Sequence, residues 1–212
     1  MKRLSILGDS ISTYIGISNN DAANESTGVN PYFYRPPFPL SGTYWARVIE
    51  HFGLSLCVNN AYSGGNLSGQ GDPISGVSRA AALARDDGQM PDLILVFMGI
   101  NDLGRGVDIG VFSADYRKTL AIIRQHYPQA KVVCVNLPDR HPSVHERTLL
   151  FNQAISDAVA AMGEGFYIAD LFNSRLKDDF YYLNTLDGLH PDEDGMRIIA
   201  DVVIDTIKGI EE

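Results

Sequence analysis

The fold is decided near the start of the chain by residues 4–10, LSILGDS. Residues 4–7 form a short apolar run, which is typical of a buried parallel strand, and Gly8, Asp9 and Ser10 follow it directly. Four similar runs occur later, and longer amphipathic patterns separate them. Such alternation of strands and helices requires right-handed crossovers. It predicts a three-layer α/β/α sandwich that is built on one parallel sheet.

The predicted strands and helices alternate along the chain. Strands are expected at residues 4–7, 54–58, 93–98, 131–137 and 166–171. Helices are expected at residues 43–52, 77–85, 113–127, 145–162 and 192–209. A flavodoxin-like strand order, 2-1-3-4-5, brings the residues that follow the first three strands together. Ligands of such sheets bind beyond the carboxyl ends of the strands, so the site is expected there.

Length and composition exclude several classes of protein. The 212 residues suit one domain, which we expect to span residues 1–212 with an insertion at about 19–41. The net charge of −9 disfavours binding to nucleic acid or to an anionic membrane surface. The first apolar run is too short for a signal peptide, so we expect a cytoplasmic protein. Cys57 and Cys134 lie in apolar runs, which suit buried thiols rather than a disulfide framework or metal site.

The insertion at residues 19–41 is too long for an ordinary connection and becomes rich in aromatic residues and proline. Because it follows Ser10 in sequence, we expect it to form part of the substrate pocket, with Tyr32, Tyr34 and Phe38 as substrate-binding residues. Exposed aromatic residues also mark subunit contacts, and the sequence leaves the oligomeric state open.

Two stretches at opposite ends of the chain complete each other chemically. Ser10 follows the first strand, and Asp187 and His190 precede the last predicted helix. A serine hydroxyl attacks a carbonyl group only when a base takes its proton, and a histidine oriented by a carboxylate is such a base. Taken singly, each stretch also suits a plain turn or a helix cap. Together they predict Ser10, Asp187 and His190 as catalytic residues.

Two further loops carry the residue types that an oxyanion hole needs. Asn101 follows the third strand, and its side-chain amide can donate a hydrogen bond to a developing oxyanion. A glycine pair follows the second strand, where a backbone N–H can approach a substrate without obstruction by a side chain. Gly65 is preferred to Gly64 for this role. The Ser10 N–H, at the start of a helix, is expected to point into the same cavity.

These four stretches, in this order, resemble the blocks of the SGNH (GDSL-type) hydrolase superfamily. Residues 8–12, GDSIS, match the first block, Gly65 the second, Gly99-x-Asn101-Asp102 the third, and Asp187-x-x-His190 the last. The resemblance covers essentially the whole chain. It implies a flavodoxin-like fold and a Ser-His-Asp triad that uses no metal or other cofactor. It also implies an oxyanion hole made by Ser10, Gly65 and Asn101, and it leaves the substrate open.

The leading hypothesis is a serine esterase that hydrolyses small-acyl, especially acetyl, oxygen esters of a carbohydrate. The partner is then a small-molecule or carbohydrate ester, because aromatic residues near Ser10 can stack on sugar rings. The alternatives are a lysophospholipase or acyl-thioesterase with the same machinery, and a non-catalytic carbohydrate-binding or scaffold protein. A loop that contains Asp139 and His141 follows the fourth strand, where it either lines the pocket or is a solvated loop.

Overall fold

The structure, a computed structural model, describes residues 1–14, 16–17, 37–139, 141–176 and 184–211. Within these residues, five strands form one parallel sheet. In chain order they are β1 (Arg3–Gly8), β2 (Ser55–Ala61), β3 (Leu93–Phe97), β4 (Lys131–Val135) and β5 (Phe166–Ala169). They lie side by side in the order β2-β1-β3-β4-β5. The predicted fold class and strand order are therefore confirmed.

The described residues also form six α-helices, which flank the sheet. They are α1 (Tyr44–Phe52), α2 (Gly76–Arg79), α3 (Ile100–Arg105), α4 (Ile109–His126), α5 (His145–Met162) and α6 (Glu193–Glu211). Helix α1 packs against α6, and α4 packs against α5. In the described part of the chain, no helix combines the length and the apolar character needed to cross a membrane.

The central strands β1 and β3 are apolar because helices cover both of their faces. Every residue of β3 is buried, and Leu4, Ile6 and Leu7 of β1 have no exposed surface. Parallel strands that are buried in this way lack the alternation of polar and apolar residues that marks a half-exposed sheet. Their carboxyl ends meet at one edge of the sheet, where the loops that carry the predicted site residues begin.

The helix predicted at residues 77–85 is shorter in the structure, where α2 ends at Arg79. Beyond this point, side chains from elsewhere in the fold capture the carbonyl groups that a longer helix would use. The Asn60 amide donates to the Arg79 carbonyl at 3.4 Å, and the Ser5 hydroxyl donates to the Leu83 carbonyl at 2.7 Å. These tertiary hydrogen bonds override the local helix propensity of the alanine-rich segment.

The sequence predicts no helix at the position of α3, where Asn, Asp and Gly favour turns. Asp102 and Arg105 both bond to the loop after β2, and these tertiary contacts favour the short helix. Helix α4 begins at Ile109 rather than at the predicted residue 113, because the Asp108 side chain accepts hydrogen bonds from the backbone N–H groups of the first turn.

Most of the predicted insertion lies outside the described residues, and this includes Tyr32 and Tyr34. Phe38 is described and lies in the hydrophobic core, with 6% of its surface exposed. Its ring lies against Gly42, where a Cβ atom would come within 2.9 Å of the Phe38 Cδ2 atom.

Candidate active site

Ser10 lies at a tight turn at the carboxyl end of β1. It opens a 3₁₀-helix, Ser10–Ser12, whose N-cap is Asp9, and the Asp9 carboxylate accepts the Ile11 N–H at 3.0 Å. Gly8 permits the turn, because a Cβ atom at this position would lie only 2.5 Å from the Ser12 Cβ atom. The first N–H groups of a helix have no partner within the helix. Among the described residues, no hydrogen bond uses the Ser10 N–H.

The structure brings His190 from the far end of the chain to Ser10. The Nε2 atom of His190 lies 3.1 Å from the Ser10 Oγ atom, and its Nδ1 atom lies 2.7 Å from Oδ2 of Asp187. His190 and Ser10 are both buried. Hydroxyl, imidazole and carboxylate therefore form the hydrogen-bonded chain in which a base can take the serine proton and the carboxylate can stabilise the resulting imidazolium.

Asp187 is shaped to hold the imidazole of His190 in one orientation. Its Oδ1 atom accepts the backbone N–H groups of Leu189 and His190, at 3.0 and 2.8 Å, while Oδ2 faces the ring. Partial burial raises the pKa of Asp187, but the hydrogen bonds and charge of His190, with the Leu189 N–H, outweigh burial and leave the pKa below its ordinary value. The carboxylate is therefore ionised at neutral pH.

Asn101 and Gly65 lie together beside Ser10's turn, but their donor groups already have protein partners. The Asn101 amide donates to the Gly65 carbonyl at 3.0 Å and, at 3.4 Å, to the Asp9 carboxylate. The Gly65 N–H donates to the Tyr62 carbonyl at 3.0 Å. Either group must share or exchange a hydrogen bond in order to bind an oxyanion. The longer contact with Asp9 is the weakest of these bonds.

The loop after β2 is held against α3 by charged side chains. The Asp102 carboxylate accepts the Leu67 and Ser68 N–H groups at 2.7 and 2.9 Å, and Arg105 donates to the Gly64 carbonyl at 2.7 Å. Burial raises the pKa of Asp102, while these N–H groups oppose that shift. Asp102 therefore braces the loop that carries Gly65.

Arg79 is a buried cation that the sequence analysis missed. Its guanidinium donates to the carbonyl groups of Gly8, at 3.0 Å, and Asn60, at the ends of β1 and β2, and to the Ile74 carbonyl at 2.9 Å. Burial lowers its pKa to about 10. Arg79 thus joins the turn that carries Ser10 to the loop that carries Gly65. In the sequence, Arg79 is marked only as one of two arginines that flank an alanine-rich run.

Asp9 is buried close to this cation. Burial raises its pKa to about 7, while the Ile11 N–H and the positive charge of Arg79 oppose the shift and the charge of Asp102 adds to it. Among the described residues, no group of three or more His, Cys, Asp and Glu side chains could hold a metal ion.

A protein-family model, the GDSL-like lipase/acylhydrolase family, matches residues 6–198. The chain belongs to this family. The matched range contains Ser10, Gly65, Asn101, Asp187 and His190, so the GDSL-family match includes every residue predicted for the triad and the oxyanion hole. No curated protein sequence matches the chain.

Solved structures share the GDSL-family fold at low sequence identity. A GDSL-like lipase from Bacteroides ovatus has a TM-score of 0.73 and 20% identity, over 99% of both chains. A GDSL-like lipase from Bacteroides uniformis has a TM-score of 0.72 and 23% identity, over 99% of this chain and 96% of the other. A family two carbohydrate esterase from Clostridium thermocellum, in complex with cellohexaose, has a TM-score of 0.71 and 17% identity, over 99% of this chain and 64% of the other.

Proposed function

We propose that this protein is a serine esterase that hydrolyses small-acyl oxygen esters, especially acetyl esters of carbohydrates, through an acyl-enzyme. The observation that carries the proposal is the hydrogen-bonded chain from Ser10 Oγ to His190 Nε2 and from His190 Nδ1 to Asp187. Membership of the GDSL-like lipase/acylhydrolase family supports a hydrolase. The carbohydrate esterase among the structural neighbours suggests the kind of alcohol.

In the proposed mechanism, His190 Nε2 takes the Ser10 proton while Oγ attacks the ester carbonyl carbon. The tetrahedral intermediate carries its negative charge on the former carbonyl oxygen, which the Ser10 N–H, the Gly65 N–H and the Asn101 amide stabilise. Asp187 stabilises the imidazolium form of His190. The imidazolium then protonates the departing alcohol, which leaves an acyl group on Ser10. Water, activated by His190, releases the acid and restores the hydroxyl.

The test is hydrolysis of p-nitrophenyl acetate and of a panel of acetylated sugars and longer-chain esters. Wild-type protein should release acetate from both the nitrophenyl ester and the sugars, and the rate should fall as the acyl chain lengthens. Ser10→Ala should be inactive on all of them. A Ser10→Ala variant that keeps a tenth of the wild-type rate would remove Ser10 as the nucleophile. A preference for long acyl chains or thioesters would favour the lysophospholipase or acyl-thioesterase alternative.

A further inference from the structure

A second Asp–His pair lies at the same edge of the sheet as Ser10. Asp139 follows the end of β4, and His145 is the first residue of α5. The Nδ1 atom of His145 lies 2.5 Å from the Asp139 Oδ2 atom. Parallel strands β1, β3 and β4 all end at this edge. The pair therefore lies beside the loop of Asn101, on the side of the sheet edge away from β2.

His145 is held in the same way as His190 but faces outward. In both pairs the carboxylate binds Nδ1, which orients the ring and presents Nε2. The His190 Nε2 atom has a hydrogen-bond partner within the protein, the Ser10 hydroxyl. The His145 side chain is 37% exposed, and among the described residues no hydrogen bond uses its Nε2 atom. An oriented imidazole nitrogen at this edge is thus available to a ligand.

Asp139 is placed to orient His145 rather than to bind a ligand itself. Its side chain is only 14% exposed, and its Oδ1 atom is buried with no hydrogen-bond partner in the described part of the chain. Burying a carboxylate oxygen without a donor costs free energy, so buried oxygens normally have a partner. A ligand from solvent cannot reach an atom that has no accessible surface, so the oxygen of Asp139 that acts at this edge is Oδ2, which holds the His145 ring.

The surrounding contacts fix the pair in place relative to the loop of Asn101. The Asn152 side chain accepts the Leu137 N–H at 2.8 Å and donates to the Leu137 carbonyl at 2.9 Å. The Leu137 side chain in turn reaches Gly99, where a Cβ atom would lie 3.5 Å from the Leu137 Cδ2 atom. The His145 ring also lies 5.9 Å from the ring of Phe172, which follows β5. The ends of β3, β4 and β5 therefore form one packed unit.

We propose that His145, oriented by Asp139, forms a subsite for a hydroxyl group on the alcohol portion of the ester. Because the Asp139 carboxylate holds the Nδ1 side of the ring, the outward Nε2 atom is the one that can form a hydrogen bond with a ligand hydroxyl. The net charge of −9 disfavours an anionic group at this position. This inference rests on the proposed esterase function and names the part of the substrate that His145 recognises.

The first test compares two esters that differ in their alcohol. His145→Ala and His145→Gln are assayed on p-nitrophenyl acetate, whose alcohol has no further hydroxyl, and on 6-O-acetylglucose. We expect the kcat/KM of His145→Ala to fall about tenfold more on the sugar than on the nitrophenyl ester, chiefly through KM. His145→Gln, which keeps a polar side chain, should recover part of the loss. His126→Ala, on the exposed end of α4, is the control and should change neither ester.

The second test measures binding without chemistry. Titration calorimetry of 6-O-acetylglucose is performed with Ser10→Ala and with Ser10→Ala/His145→Ala, after thermal melting has shown both to be folded. We expect the double variant to bind about tenfold more weakly. Equal losses on both esters, unchanged binding in the double variant, or no binding by Ser10→Ala would overturn the subsite. Weaker binding together with a wild-type protein that hydrolyses neither ester would leave the subsite standing and overturn the esterase function.

Discussion

The two Asp–His pairs at the edge of the sheet have opposite patterns of burial. In Asp187–His190 the imidazole is buried, with 6% of its side chain exposed, and the carboxylate is 49% exposed. In Asp139–His145 the carboxylate is 14% exposed and the imidazole 37%. The buried ring faces a protein hydroxyl, whereas the exposed ring faces solvent. The same two residue types therefore suit an internal proton transfer in one place and ligand recognition in the other.

The largest expected effect separates the two histidines. His190→Ala should lower kcat on p-nitrophenyl acetate by at least about a thousandfold, because Ser10 loses its base. His145→Ala should retain more than about a tenth of the wild-type kcat on the same ester. The double variant Ser10→Ala/His190→Ala should be little slower than either single variant, since the two residues act as one unit. Additive losses in the double variant would contradict the assignment of His190 as the base for Ser10.

A substitution of Asn101 tests the role of the loop that lies between the two Asp–His pairs. Asn101→Ala should lower kcat by about a hundredfold with little change in KM, because the amide is expected to bind the oxyanion more strongly than the ground-state carbonyl. Steady-state kinetics on p-nitrophenyl acetate separate the two parameters. A raised KM at unchanged kcat would instead place Asn101 in substrate binding. Asn173→Ala, beyond β5, is a matched change at a residue outside the predicted site.

The carboxylates should differ in the parameter they affect. Asp187→Asn should lower kcat on p-nitrophenyl acetate by at least about tenfold, since it weakens the stabilisation of the imidazolium. Asp139→Asn should act mainly through KM on 6-O-acetylglucose. Equal changes in kcat on the nitrophenyl ester for both substitutions would contradict the different roles of the two carboxylates.

The smallest effect is on stability as a function of pH. Because the pKa of Asp187 is lowered in the folded protein, its pairing stabilises the fold above the ordinary aspartate pKa of about 4. This contribution disappears as the pH falls through the lowered value. Solvent screens the half-exposed side chain, so Asp187→Asn should lower the Tm at neutral pH by no more than about 4 °C. Melting curves from pH 7 down to pH 2 should show the difference vanish at the acidic end; a constant difference would contradict the argument.

The sequence predicts the sheet well because its apolar runs are short and continuous. The order of β1 to β5 was expected as flavodoxin-like, an order that the family resemblance also implies and that makes the first three strands neighbours. The shortened α2 could not be predicted, because hydrogen bonds from Asn60 and Ser5 end it, and both residues are distant in sequence. Local propensity carries no information about such partners.

The predicted Ser10, Asp187 and His190 come together in the structure, since each lies in a motif of recognisable spacing. Arg79 and the Asp139–His145 pair carry no such motif. The role of Arg79 is evident only from the structure, in which its buried guanidinium lies between the ends of two strands. The pairing of His145 with Asp139 is likewise evident only from the structure, because β4 and α5 bring the two residues together. Tertiary structure alone creates these contacts.

Side chains from other parts of the fold hold the loop after β2 through hydrogen bonds to its main-chain atoms. Asp102, Arg79 and Arg105 form hydrogen bonds with backbone N–H and carbonyl groups of this loop. The exposed side chains of Gln70 and Pro73 take no part in these bonds. We therefore expect a substitution of the exposed Gln70 to leave the backbone beside Gly65 in place.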